Sequence, residues 1–329
     1  MVNRDNYWAL VLAAGDGRRL QGLTRTASGD VIPKQFCSLN GGLSFLEETV
    51  QRAQTVVPRD RVCAIVACAH RRHWLRPLAS LPAQNVIAQP RNRGTAIGIL
   101  LPLLHILERD PKARILLLPS DHHIRDEARL TAAQQAAMAA GRYENADIVL
   151  LGIEPDHADP ELGYIVPLRT GHPKFRAVGR FVEKPSAEEA GQLIRQGALW
   201  NTFIIAADAA ALLRLFEWRC PEIVAKMRRS IRRGCGFPAA LARLYDEMAE
   251  LDFSRGILQG QERQLRVLAV PECGWSDLGT PERVAAALHG LDVAASVSTP
   301  IRESWSAVNL AAQHALCAQM GRSAVARAG

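Results

Sequence analysis

Five short apolar runs, at residues 7–13, 61–67, 85–88, 113–118 and 147–153, alternate with segments of helical periodicity at 44–57, 95–108 and 128–141. Strand-length runs spaced by amphipathic helices can bury both faces only as βαβ units, which stack into a sheet with helices on either side. The pattern predicts a doubly wound, mostly parallel α/β sheet of Rossmann-like type. Ser44 is the expected N-cap of the first helix, and Glu47, three residues on, completes a capping box.

After residue 163 the texture changes. Shorter strands are expected at 164–168 and 177–182, helices near 187–196 and 209–218, helix throughout 221–250, a strand at 265–270 and a closing helix at 281–289. This block predicts a smaller mixed subregion that forms the second wall of a cleft. The expected division is one domain over 1–290, with halves at about 1–160 and 161–290. An Ala- and Ser-rich tail follows at 291–329, with one helix at 307–320.

Composition narrows the function classes. A hydrophobic content of 48% over 329 residues suffices for a full core, which excludes a disordered chain. No run of eighteen apolar residues and no cleavable leader pattern is present, so a cytoplasmic protein with no membrane partner is expected. The seven cysteines are odd in number, scattered and without a CxxC pair, which predicts reduced thiols and no zinc. The net charge of +7 is spread along the chain. Its densest cluster, Arg228, Arg229, Arg232 and Arg233, reads as a solvated helix face, and the basic stretches lack interleaved aromatics, so no nucleic-acid partner is expected.

Chemistry concentrates at the strand ends. Leu12-Ala13-Ala14-Gly15-Asp16-Gly17-Arg18-Arg19-Leu20 runs off the first apolar segment and is followed by Pro33-Lys34-Gln35-Phe36. A glycine-rich turn can point successive N–H groups at an anion, and arginine and lysine are placed to meet phosphates. The competing reading is a tight strand exit. A dinucleotide fingerprint is excluded, because Leu20 stands where the third glycine of G-x-G-x-x-G belongs.

The apolar run Leu116-Leu117-Leu118-Pro119-Ser120 ends in Asp121-His122-His123, and a second acid stands in Gly274-Trp275-Ser276-Asp277-Leu278-Gly279. In an open α/β sheet ligands bind at the carboxyl ends of the strands, so Asp121 should share a mouth with the glycine loop. Two carboxylates at a phosphate site suit Mg²⁺, which takes few protein ligands and completes its octahedron with phosphate oxygens and water. For either aspartate alone, a helix N-cap is the competing reading. Gln89-Pro90-Arg91-Asn92-Arg93-Gly94-Thr95 leads from a strand into a helix and could read a base edge. Phe181-Val182-Glu183-Lys184-Pro185 sets an acid and a lysine at a strand end, where alternation sends them to opposite faces unless the strand bends.

These segments, with Gly163-Tyr164-Ile165 and Leu199-Trp200-Asn201, together resemble the sugar-1-phosphate nucleotidyltransferases over roughly residues 7 to 288. The PKQF, PSDHH and GWSDLG forms are most similar to the mannose-1-phosphate guanylyltransferase branch. The resemblance implies a nucleotide-diphospho-sugar transferase fold, with the nucleotide in the first half and the sugar in the second. It implies transfer of GMP from GTP to mannose-1-phosphate, with Mg²⁺ as cofactor and GDP-mannose and pyrophosphate as products. By the same resemblance Ala13, Ala14, Gly15 and Gly17 would cradle the triphosphate, with Arg19 on the leaving pyrophosphate and Lys34 beside the α-phosphate. Asp121 and Asp277 would hold the metal. Gln89, Pro90, Asn92, Gly94 and Thr95 would lie near the base, Lys184 on the sugar phosphate, and Gly163, Glu183 and Asn201 on sugar hydroxyls.

Three positions depart from the family pattern. Phe203 stands where the family carries glycine, the segment Leu251 to Ile257 keeps an Asp-aromatic pair and lacks a downstream glutamate, and Arg18 replaces a small hydroxyl residue. The first two lie on the sugar side, so nucleotidyl transfer is better founded than mannose. The longer members carry an isomerase or β-helix domain, and only the tail at 291–329 stands in that place here, so a bifunctional enzyme is not expected. The alternatives are the same transfer with another sugar phosphate or NTP, and a catalytically silent nucleotide-sugar-binding relative. Oligomeric state is left open.

Overall fold

The first strand sets the frame. In the computed structural model, which describes residues 6–26, 29–142, 146–169, 171–232 and 237–289, β1 (Tyr7–Ala13) leads through the glycine turn to α1 (Phe45–Gln54), β2 (Val62–Ala67), the short α2 (Arg71–Trp74) and β3 (Val86–Gln89). Then come α3 (Gly94–Arg109), β4 (Arg114–Pro119), α4 (Glu127–Met138), β5 (Ile148–Ile153), β6 (Gly163–Pro167), β7 (Arg176–Glu183) and α5 (Ala187–Arg195). The described chain closes with β8 (Leu199–Asp208), α6 (Ala209–Arg219), α7 (Pro221–Arg232), α8 (Phe237–Glu247), β9 (Leu265–Val270) and α9 (Pro281–His289). The expected capping box at Ser44 and Glu47 is present at the start of α1.

The nine strands of the described residues form one sheet in the order β3-β2-β1-β4-β8-β5-β9-β7-β6. β1, β2, β3 and β4 pair in parallel, as do β5 and β9, whereas β8 and β7 run against their neighbours. Alternate residues face opposite layers. Leu10, Ile115 and Leu117 pack under α3 and α6 in one core, while Val11, Leu116 and Leu118 pack under α1 and α4 in the other. Strands covered on both faces read as continuous apolar runs, which is why the sequence marks β1, β2, β4 and β5 so sharply.

Two expectations are corrected. The segment 199–208, for which the sequence pattern predicts no strand, is a ten-residue strand that inserts antiparallel between β4 and β5. The region 221–250 holds two helices, α7 and α8, and residues 248–250 are not helical. Of the arginine stripe, Arg228 pairs with Glu217 at 3.0 Å and Arg229 is exposed. Arg233 and the tail with its expected helix lie outside the described residues. Among the described residues no helix is long and apolar enough to cross a membrane.

Candidate active site

β1 and β4 are parallel neighbours, so their carboxyl ends open on the same edge. Ser120 fastens the two ends together, its Oγ donating to the Leu12 carbonyl at 2.7 Å. The glycine turn thereby meets Asp121, as expected. Gly17 adopts φ +60°, and a Cβ there would lie 3.0 Å from the Lys34 backbone nitrogen, so both conformation and space demand glycine. A Cβ on Gly15 would meet no atom of the described residues within 4 Å. Packing does not require glycine at 15, and its absence of side chain leaves the loop backbone facing the cavity. Buried Gln35 braces the turn, its Nε2 donating to the carbonyls of Ala13 at 3.1 Å and Gly15 at 2.8 Å.

Lys34 is buried and its Nζ ties the two acidic segments together, donating to the Asp277 carbonyl at 2.6 Å and lying 3.0 Å from Asp121 Oδ2. Burial pushes the Asp121 carboxyl up, but Lys34, His122 and Arg19 outweigh it and hold the group below the usual range. Asp277 behaves alike: burial raises it, and His122, Arg283 and the Gly279 N–H more than reverse that. Asp277 Oδ1 accepts from Arg283 and, at 3.0 Å, from Gly279 N–H. It is not the N-cap of α9, since the first-turn N–H of Arg283 goes to Thr280 Oγ1 at 3.4 Å.

His122 sits between the two acids. Burial pushes its titration below the ordinary value, Trp275 Nε1 donates to its Nδ1 at 3.2 Å, and its Nε2 lies 3.7 Å from Asp121 Oδ1. The aspartates thus present hard oxygen donors, held anionic, of the class that magnesium takes. Among the described residues no group of three or more His, Cys, Asp or Glu converges, so further ligands to such an ion would be phosphate oxygens and water.

On the side expected for the base, Gln89 is buried at the end of β3, lines the cavity, and its Oε1 has no hydrogen-bond partner among the described residues. A buried acceptor left unpaired is costly, which marks Gln89 as a group awaiting a donor. Asn92 donates to Asp16 Oδ2 at 3.3 Å and accepts from Gly94 N–H at 3.0 Å. Gly94 has φ +83°, and a Cβ there would fall 2.4 Å from the Leu251 carbonyl oxygen. Thr95 Oγ1 accepts the Phe253 N–H at 2.9 Å, so this residue fastens the 251–253 segment to α3. Pro90 is half-buried behind the cavity wall and Ala13 is buried within β1; neither lines the cavity.

On the opposite side Gly163 of β6 pairs with Glu183 of β7. A Cβ on Gly163 would lie 2.5 Å from Glu183 Oε2, so glycine lets the carboxylate lie across the strand. Burial, then the Asp252 charge, push Glu183 up to about 6. Lys184 adopts φ +51°, and this turn at the strand end lets both Glu183 and Lys184 face the cavity despite their adjacency. Asn201 Oδ1 accepts the Phe203 N–H at 3.1 Å, and Phe203, at φ +60°, sets its ring 5.8 Å from that of Phe253. The cleft holds about 660 Å³, within the range of small-molecule sites.

The family model described as "Nucleotidyl transferase" matches residues 8–291, nearly all of the described sheet and both cavity walls. The chain belongs to the nucleotidyl transferase family. Among relatives of this nucleotidyl transferase, the mannose-1-phosphate guanylyltransferase RfbM of Salmonella typhimurium is 31% identical over 234 residues, covering 69% of this chain and 47% of that protein. The mannose-1-phosphate guanylyltransferase of Escherichia coli is 30% identical, covering 84% of this chain and 59% of that protein. The chain therefore spans about half the length of these curated relatives. A solved structure titled mannose-1-phosphate geranyltransferase, from Thermus thermophilus, superposes with a TM-score of 0.72 at 28% identity, over 87% of this chain and 80% of that one. A UDP-glucose pyrophosphorylase bound to UDP-glucose shares the fold at 13% identity and a TM-score of 0.56, over 86% of this chain and 97% of that one.

Several residues around this nucleotidyl transferase cavity escape sequence reasoning. Arg283 of α9 bridges Asp277 and buried Asp159, and Glu161 lies 3.0 Å from Arg19 and 3.8 Å from Lys184. An acid two residues before Gly163 was the available signal for Glu161. Nothing local marks Asp159 and Arg283 as partners, because 124 residues separate them.

Proposed function

We propose that the protein transfers GMP from GTP to mannose-1-phosphate, giving GDP-mannose and pyrophosphate, with Mg²⁺ as cofactor. The observation that carries this reading is convergence on one cavity: a glycine turn and Gln89 on one wall, Glu183, Lys184 and Asn201 on the other, and Arg19, Asp121 and Asp277 between them, with Lys34 bonded beneath. The guanylyltransferase relatives supply the choice of GTP and mannose-1-phosphate.

The reaction is an in-line displacement at the α-phosphorus by a sugar-phosphate oxygen, with pyrophosphate leaving. It needs no nucleophilic side chain, so the work is positioning and charge stabilisation. The loop from Ala14 to Gly17 offers backbone N–H groups to the triphosphate, and Arg19 would carry the leaving pyrophosphate. Lys34, held by Asp121 and the Asp277 carbonyl, would carry its charge beside the α-phosphate with little reorganisation. Lys184 would neutralise the attacking sugar phosphate, while Glu183 and Asn201 would bind hydroxyls. Gln89 can accept a hydrogen bond from an N–H edge of the base. Asp121 and Asp277 would hold the metal, which when bound screens phosphate charge and polarises the α-phosphoryl group.

A second reading keeps the transfer and changes the sugar. It is favoured by Phe203, whose ring lines the cavity on the sugar side. Both are tested by pyrophosphate release with Mg²⁺, crossing GTP, ATP, UTP, CTP and dTTP against mannose-1-phosphate, glucose-1-phosphate and related sugar phosphates. Release confined to GTP with mannose-1-phosphate supports the first reading, and another productive pair supports the second. Binding without release across the whole grid would overturn both.

A further inference from the structure

Glu161 places one carboxylate oxygen against two cations that belong to different halves of the site. Its Oε2 lies 3.0 Å from Arg19 Nη1 and 3.8 Å from Lys184 Nζ. Arg19 stands in the glycine turn and Lys184 at the end of β7, and all three residues line the cavity. The base of Glu161 is anchored: its N–H donates to Asp159 Oδ1 at 2.8 Å, and buried Asp159 is tied through Arg283 to Asp277. Its head is about half exposed, at 47%. An anchored backbone with a solvated head can release its partners without disturbing the fold.

We propose that Glu161 is a shared counter-ion that couples the two phosphate subsites, holding Arg19 and Lys184 until the first phosphate displaces it. The inference rests on the reading of Arg19 and Lys184 as ligands of the pyrophosphate and of the sugar phosphate. A phosphate arriving at either cation carries more negative charge than the carboxylate and repels it, so one displacement frees both cations. The first ligand bears the cost of that displacement and the second does not, which is positive coupling between them. The effect is reciprocal: each ligand strengthens the other by the same factor. Ion pairs this exposed are weak, and the same weakness keeps the carboxylate from blocking the site.

The test is calorimetric titration of the full chain in Mg²⁺ buffer with inorganic pyrophosphate and with mannose-1-phosphate, each alone and in the presence of the other, for wild type, Glu161→Gln and Glu161→Asp. In wild type each ligand should lower the Kd of the other by about two- to fivefold. In Glu161→Gln each ligand alone should bind more tightly than to wild type by a similar factor, and the mutual effect should vanish. Glu161→Asp should retain it, and the thermal midpoint should hardly move in either variant. Unchanged single-ligand affinities in Glu161→Gln, or coupling of wild-type size in that variant, would overturn the proposal even if GDP-mannose synthesis is normal. A protein that turns over no nucleotide and sugar pair, yet binds pyrophosphate more tightly as Glu161→Gln, would sink the substrate assignment and leave the counter-ion standing.

Discussion

Lys34 Nζ lies 3.0 Å from Asp121 Oδ2, joining the PKQF segment after β1 to the strand end of β4. The contact brings one cation and one carboxylate, each singled out by motif alone, to a common point at the carboxyl edge of the sheet. Because Lys34 also donates to the Asp277 carbonyl, a single buried ammonium organises both acidic motifs.

Removing that ammonium should therefore affect chemistry more than ground-state binding. Lys34→Met keeps the aliphatic stem and deletes the charge. A preorganised charge aimed at the reacting phosphoryl group is worth about 10²- to 10³-fold in turnover, and kcat should fall by that order while the sugar-phosphate KM changes little. Single-turnover rates with GTP decide it; a rate within a fewfold of wild type would remove Lys34 from the catalytic machinery.

Two glycines should respond in opposite ways to the same substitution. Gly94→Ala drives a Cβ to 2.4 Å from the Leu251 carbonyl at φ +83°, so backbone must move; destabilisation of about 2 kcal/mol or more is expected. Gly15→Ala meets no atom of the described residues within 4 Å, so its melting temperature should stay near wild type while GTP affinity falls. Chemical denaturation paired with nucleotide titration separates the two. Equal loss of stability in both variants would contradict the assignment of Gly15 to the ligand side.

Phe203 carries a bulky side chain at φ +60°, a conformation that costs a non-glycine residue on the order of 1–2 kcal/mol. Phe203→Ala loses the contact with Phe253 and keeps the strain, whereas Phe203→Gly loses the contact and relieves it. The glycine variant should be the more stable of the pair by about 1 kcal/mol. If Phe203 shapes the sugar subsite, both should also shift the ratio of kcat/KM between mannose-1-phosphate and its competitors. An unchanged ratio would assign the ring a packing role alone.

Legibility followed burial and locality. β1, β2, β4 and β5 are covered on both faces and announced themselves as apolar runs, and the glycine turn and Asp121 could be placed together because parallel neighbours end on one edge. β8 was missed because Asn201 and Thr202 interrupt its apolar pattern. A register shift opposite Leu150 and Gly152, with positive φ at Phe203, breaks the period-two alternation on which a strand reading depends. The joint orientation of Glu183 and Lys184 was equally hidden, since it depends on positive φ at Lys184. Arg283 and Asp159 meet only because α9 returns to the mouth of the sheet, a long-range fact without a local signature.

Glu183 offers a pH-dependent test. Its carboxyl is pushed up to about 6 from an ordinary value of 4.5, chiefly by burial and next by the Asp252 charge. A raised acid binds its proton more tightly in the folded state, so its contribution to stability is fully present below about 4.5 and is lost as the pH rises through about 6. Relative to wild type, Glu183→Gln should gain stability across that window and level off above it. Sugar binding should move the other way, because the charged carboxylate is the stronger acceptor for hydroxyls: wild-type affinity for mannose-1-phosphate should weaken as the pH falls below about 6. The sugar phosphate itself titrates near that pH, so the ratio of wild-type to Glu183→Gln affinities at each pH is the quantity to follow. That ratio should decline on acidification, and a ratio flat from about pH 5 to pH 8 would show that Glu183 does not meet the sugar as a carboxylate.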